Sequence, residues 1–128
     1  MEAGSLAQLA IFARDDGQLE DAGSMLRVAL RTDHDQGNVL DVAVNLGRLA
    51  SVLALAERVG TAAQLLASSE ALTLGLGASV ASWAKARNEK TLTAIRRQLD
   101  ESALCEALER GRALTVDQAV ALAINTPD

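Results

Sequence analysis

Apolar residues recur at three- and four-residue spacing along almost the whole chain, the period of an amphipathic helix, and turn-forming residues cut the pattern into about seven segments. A first helix is predicted from about Ser5 to Arg14, with Leu6, Leu9, Ala10 and Ala13 on one face and Asp15-Asp16-Gly17 ending it. A second spans about Leu19 to Thr32 on a stripe of Leu19, Ala22, Leu26, Ala29 and Leu30, and Thr32 to Asn38 reads as a polar loop. The third, about Val39 to Arg58, carries Val42, Leu46, Leu49 and Leu53 on one stripe and a single charge, Arg48, between Val42 and Ala56. A helix apolar on most sides belongs at the centre of a fold.

Val59-Gly60 is expected to break that helix, with the capping-box pattern Thr61 to Gln64 opening a fourth that closes at Gly75-Leu76-Gly77. A fifth runs from roughly Val80 to Leu99. Asp100 caps a sixth through about Arg110, which Gly111 ends, and a second capping box, Thr115 to Gln118, opens a short last helix with Val116, Ala119, Val120 and Ala123 inward. No segment alternates with period two for long, so no strand is predicted. The fold class expected is all-α, with helices 1 to 4 forming two antiparallel pairs of tetratricopeptide type, turned at Gly17 and Gly60. Gly23 and Gly47 fall inside helices, where close approach of a neighbouring helix would account for them and simple drift would equally. Asn45 and Glu70, polar residues within apolar stretches, are expected at rim positions open to solvent.

Composition sharpens the core. Of 128 residues 49% are hydrophobic but only 2% aromatic, Phe12 and Trp83, so Ala, Leu and Val must fill the interior, which suits closely spaced helices. The length fits a single domain, residues 1–128. The only proline, Pro127, interrupts no element. One cysteine, Cys105, forms no internal disulfide, and the N-terminus carries no basic-then-apolar leader, so a reducing, cytoplasmic setting is expected. No apolar stretch approaches the ~20 residues of a membrane span.

The formal charge of −5 argues against dedicated nucleic-acid binding, which depends on neutralising phosphates. Its layout is uneven. Residues 1–41 hold eight acidic residues against three arginines, whereas residues 85–97 hold Lys85, Arg87, Lys90, Arg96 and Arg97 against Glu89. Solvated helix faces account for such runs, and so does a basic patch that meets an acidic surface. On the second reading the candidate protein contacts are Trp83, Arg87, Lys90, Arg96 and Arg97.

Other chemistry is thin. His34 with Asp33 and Asp35 lacks the spacing and number of ligands of a metal site. Cys105 lies with Leu104 and Leu108, where a core or boundary thiol is expected, and the chain offers one histidine as its base. Gly75 to Ser79 lacks phosphate-loop spacing. No catalytic, cofactor or metal residue is assigned.

Two stretches carry a resemblance. Ala62 to Leu72, AAQLLASSEAL, resembles a helix of the large bacterial ATP-binding transcriptional regulators of LuxR type, and Gly111 to Ala123, GRALTVDQAVALA, resembles the stretch that closes their helical repeat region. The likeness spans roughly residues 49–124 well and 6–30 loosely. It implies a helical region that receives signals or joins an ATPase core to an output domain, here as a truncated relative or an excised domain. The helix-turn-helix that often follows the closing stretch is not inherited by this chain. The function expected is a non-catalytic protein-interaction module whose partner is another protein, an adjoining domain or a second copy. A helical bundle holding a small apolar ligand is the lesser alternative.

Overall fold

The computed structural model describes residues 9–11, 13–15, 17–77 and 82–125, with the side chains of Ser82 and Trp83 outside that description. The predicted helix start at Ser5, Phe12, Asp16 and the segment 78–81 therefore lie outside the described residues. The fold is all-α, as expected. Helical residues 9–11 and 13–15 are followed by α1 (Leu19–Asp35), α2 (Val39–Leu55), α3 (Val59–Gly75), α4 (Ser82–Arg96), α5 (Glu101–Ala113) and α6 (Val116–Asn125). No strand occurs among the described residues.

The first three of these helices share one length and one repeat. Each has 17 residues, and they start at 19, 39 and 59. The connections have a common chemistry. Gly17, Gly37, Glu57 and Gly77 all take the left-handed conformation, at φ 82°, 73°, 66° and 73°. Such a residue just past a helix lets the chain turn back on the last carbonyls. Gly37 N–H donates to His34 O at 3.1 Å and Asn38 N–H to Asp33 O at 2.9 Å. The same pair recurs as Glu57 to Ala54 at 3.2 Å and Arg58 to Leu53 at 2.8 Å, and as Gly17 to Arg14 at 3.0 Å and Gln18 to Ala13 at 2.8 Å. Helices of this length joined by three residues return antiparallel to their neighbours.

This arrangement corrects two expected boundaries. The loop predicted for Thr32 to Asn38 shrinks to 36–38, because the Gly37 closure lets α1 run on to Asp35. Gly60 does not break α2: that helix ends at Leu55 through Glu57, while Gly60 lies in the first turn of α3, whose N-cap is Arg58 and not Thr61.

Packing centres on α2. Eleven of its 17 residues are buried, among them Val42, Leu46, Leu49, Val52 and Leu53, and it contacts α1, α3, α4 and α6. Alanines at 22, 29, 43, 50, 62 and 63 are buried completely and let the backbones approach. The hairpin rule stops after α3. α4 lies on α2 and α3 and touches α5 little, α5 packs instead along α3, and α6 returns across α1, α2 and α3.

The α3–α5 crossing explains another correction. Gly111 does not end α5, which continues to Ala113. It is buried against the Gln64 backbone, where an added Cβ would stand 2.8 Å from Gln64 C and Cα, and its carbonyl accepts the Ser68 hydroxyl at 2.7 Å. Both predicted caps are present in this region. Asp100 Oδ1 accepts from Ala103 N at 2.8 Å, and Thr115 and Gln118 close a reciprocal box at 2.9 and 3.1 Å.

A cationic groove as the candidate functional site

Helix α2 is smooth at Gly47, and that gap admits a charge. The Arg87 guanidinium, carried by α4, lies against the bare Cα of Gly47: a Cβ there would be 3.1 Å from Arg87 Cζ and 3.0 Å from Ser69 Oγ. Close approach does explain this glycine, though what approaches is a side chain. Gly23 is buried within α1. Ser69 donates its hydroxyl to Ala43 O at 2.6 Å, tying α3 to α2. Arg87 itself is oriented by the buried Asn88, whose Oδ1 accepts Nε at 3.1 Å and Nη2 at 3.0 Å.

Two further arginines approach the same place from other elements. Arg14, in the N-terminal helical segment, donates through Nη1 to Ser51 Oγ at 3.1 Å and pairs with Asp15 at 3.0 Å. Arg48, on α2, donates through Nη1 to Asn45 Oδ1 at 3.0 Å, and Asn45 Nδ2 donates to Asp33 Oδ2 at 2.8 Å. Asn45, expected at the rim, is in fact only 3% exposed, because α1 supplies a carboxylate that satisfies it inside the fold. Glu70 is exposed, as expected.

Electrostatics follow from this crowding. Burial holds the Arg87 guanidinium down to about 10, helped by Arg48 and Arg14 and opposed by Glu70. Burial lowers Arg48 as well, with Asp41 and Asp33 pulling the other way against Arg14. Asp33 is raised, first by burial and then by Asp41, while Asn45 and Arg48 oppose the rise.

Above these residues a groove of about 480 Å³ opens between the N-terminal segment, the end of α2 and the middle of α4. Arg14, Arg87 and Lys90 give it positive charge against the single carboxylate of Asp15, while Ala54, Leu55, Ala86 and Ala94 make its apolar wall. Leu55 is 55% exposed there. The two hydroxyls in the lining are engaged within their own helices, Ser51 with Arg48 O at 2.6 Å and Thr91 with Arg87 O at 3.0 Å.

The structure therefore divides the predicted basic cluster. Arg87 and Lys90 line the groove. Arg96 lies outside it and faces Glu101 at 3.8 Å, both side chains exposed. Arg97 lines an adjoining shallow depression of about 510 Å³, which shares Ala86, Lys90 and Ala94 with the groove. Trp83 belongs to the first turn of α4, but its side chain lies outside the described residues. Nothing in the charge pattern along the chain marks Arg14 as a contact, and Arg48 is marked only weakly. The available signal was the solitary charge at Arg48 within an otherwise apolar helix.

The remaining candidates resolve simply. His34 belongs to the last turn of α1, not a loop, and its Nε2 is 2.6 Å from Asp117 Oδ1 of α6. Cys105 is exposed, not core or boundary, because α5 buries Leu104, Ala107 and Gly111 along its inward line. No His, Cys, Asp and Glu grouping suited to a metal occurs among the described residues, and no helix there is long and apolar enough to cross a membrane. Comparison with family models, curated proteins and solved structures finds no match to this chain.

Proposed function

We propose that this chain is a non-catalytic protein-interaction module that recognises its partner through the groove between the N-terminal segment, α2 and α4. The observation carrying this reading is the convergence of Arg14, Arg87 and Lys90, from two distant parts of the chain, on one open and half-apolar concavity. Arginine in a partly desolvated setting beside aliphatic surface is the usual make-up of an interface anchor. The engaged hydroxyls of Ser51 and Thr91 favour binding over nucleophilic chemistry in this groove. The likeness of Ala62 to Leu72 and Gly111 to Ala123 to LuxR-type regulators adds a setting, a cytoplasmic signalling protein in which such a helical region contacts a neighbouring domain.

A photo-crosslinking residue at position 94, on the groove wall, tests the reading in cells, with the same residue at position 105, on exposed α5, as control. A defined protein adduct from 94 alone supports it. Equal adducts from both positions, or none from 94, contradict it.

Self-association is a second reading, favoured by the exposed aliphatic side chains of Leu40, Leu74 and Leu76. Light scattering over a hundredfold concentration range distinguishes it: a constant monomer mass excludes it, and a concentration-dependent dimer supports it.

A further inference from the structure

The groove's own chemistry specifies its occupant, given that it is a recognition site as proposed above. Charge comes first. In the lining Arg14, Arg87 and Lys90 outnumber the single carboxylate of Asp15, and Arg48 adds a fourth cation nearby, close enough to repel both Arg14 and Arg87, although Asp41 and Asp33 offset part of its charge and Glu70 part of that of Arg87. A carboxylate placed among them is attracted to every one of the four, and partial burial keeps that attraction from being screened as it would be on an open surface. Shape comes second. A helix with its side chains is ~10–12 Å across, so a concavity of about 480 Å³ accommodates only about one helical turn. An extended segment fits it far better.

The wall comes third. Leu55, Ala54, Ala86 and Ala94 run beside the cations, so the occupant needs an aliphatic side chain next to its acidic one. A second copy of this chain satisfies these demands poorly, because most of its exposed acidic residues, Glu20, Asp21, Asp41, Glu101, Glu106 and Glu109 among them, are carried on helices, and of the described ones Glu57 and Asp100 each stand singly in a short turn. Nucleic acid is disfavoured by the chain's net charge of −5.

We infer that the groove binds an extended acidic segment of a partner protein, with carboxylates seated on Arg14, Arg87 and Lys90 and an alternate aliphatic side chain seated on Leu55. Alternation is what an extended backbone provides, since successive side chains point to opposite sides and every second one returns to the same wall.

The test uses the full chain, labelled with ¹⁵N, and three short peptides of alternating composition: glutamate with valine, glutamine with valine, and lysine with valine. Amide shifts locate binding and fluorescence anisotropy of labelled peptides measures it. The expected result is saturable shifts at Ser51, Leu55, Lys90 and Thr91 with the glutamate peptide, binding at least tenfold weaker for the glutamine twin, and further weakening as salt rises. Lys90→Glu, a surface change whose folding is checked by circular dichroism, lowers the glutamate peptide's affinity at least tenfold, and Arg87→Gln does the same if its thermal midpoint is retained. Equal or tighter groove binding by the glutamine or lysine twin overturns the acidic specificity while leaving the interaction role standing. No groove shift with any of the three overturns the inference, and the crosslink at position 94 then decides the wider reading separately. Inorganic phosphate displacing the glutamate peptide at equal concentration also overturns it, in favour of a small-anion site.

Discussion

Arg87 occupies the space that a side chain at position 47 would fill: its Cζ lies 3.1 Å from where a Cβ on Gly47 would stand. Glycine in the middle of a helix costs ~1 kcal/mol relative to alanine, and here the cost coincides with the seat of a charged group. Gly47→Ala restores helix propensity but drives the guanidinium off α2. Because the displaced atoms end a flexible side chain, global stability should stay within about 1 kcal/mol of the parent, while the Arg87 Nε–H signal shifts and exchanges faster. Denaturant titration with side-chain NMR checks both. A large loss of stability, or an unmoved Arg87 signal, contradicts the account.

Gly111 gives the opposite outcome for the same substitution. An added methyl there meets the Gln64 backbone, 2.8 Å away at C and Cα, and backbone does not rotate aside. Overpacking of this kind typically costs ~1–3 kcal/mol, so Gly111→Ala should destabilise the fold by roughly 1–2 kcal/mol after its gain in helix propensity. A neutral or stabilising result in urea denaturation would show that α3 and α5 are not in backbone contact.

Glu57 is the odd member of the turn series. It takes φ 66° where Gly17, Gly37 and Gly77 fill the equivalent position. A side chain in the left-handed region costs ~1–2 kcal/mol, partly returned by the lower entropy of the unfolded chain. Glu57→Gly should therefore stabilise by about 0.5–1 kcal/mol, read as a raised thermal midpoint, and Glu57→Val should lower it. A stabilised valine variant would contradict the assigned turn.

Those glycines show how far the fold was legible. Helical class, the apolar centre at α2 and the caps at Asp100 and Thr115 follow from local chemistry, and local chemistry is what a sequence displays. The repeat starting at 19, 39 and 59 was hidden because Glu57 fills one glycine slot while Gly60 stands three residues later and imitates a break. Gly111 misled in the same way: a glycine chosen for a close helix crossing resembles one chosen for a turn. Arg87 and Lys90 were legible as basic residues, but their partners were not. Arg14, Arg48 and Arg87 meet only through the register of three separate helical segments, which no spacing along the chain reveals.

Asp33 carries a pH dependence with a definite sign. Asp33 as a residue is 4% exposed, and burial raises the pKa of its carboxyl above the ordinary 3.8. The folded state thus holds this proton more tightly than the unfolded chain, so the group favours folding below about pH 3.8 and that contribution is lost as pH rises through the folded value. Relative to the parent, Asp33→Asn should gain stability as pH climbs from 4 toward 7, because its amide cannot ionise and its oxygen still accepts from Asn45. Urea denaturation of both proteins across that range measures the difference. A gap that is constant, or that shrinks with pH, contradicts the burial argument.

The central claim is that recognition lies in the groove and not on the basic face of α4 as a whole. Its most direct measurement is the yield of the protein adduct from a crosslinker at position 94 in cells expressing either Lys90→Glu or Arg96→Glu. Both substitutions reverse one exposed charge on the same helix, but only Lys90 lines the groove. The account predicts loss of the adduct with Lys90→Glu and retention with Arg96→Glu. Equal loss with both, or loss with Arg96→Glu alone, would contradict it.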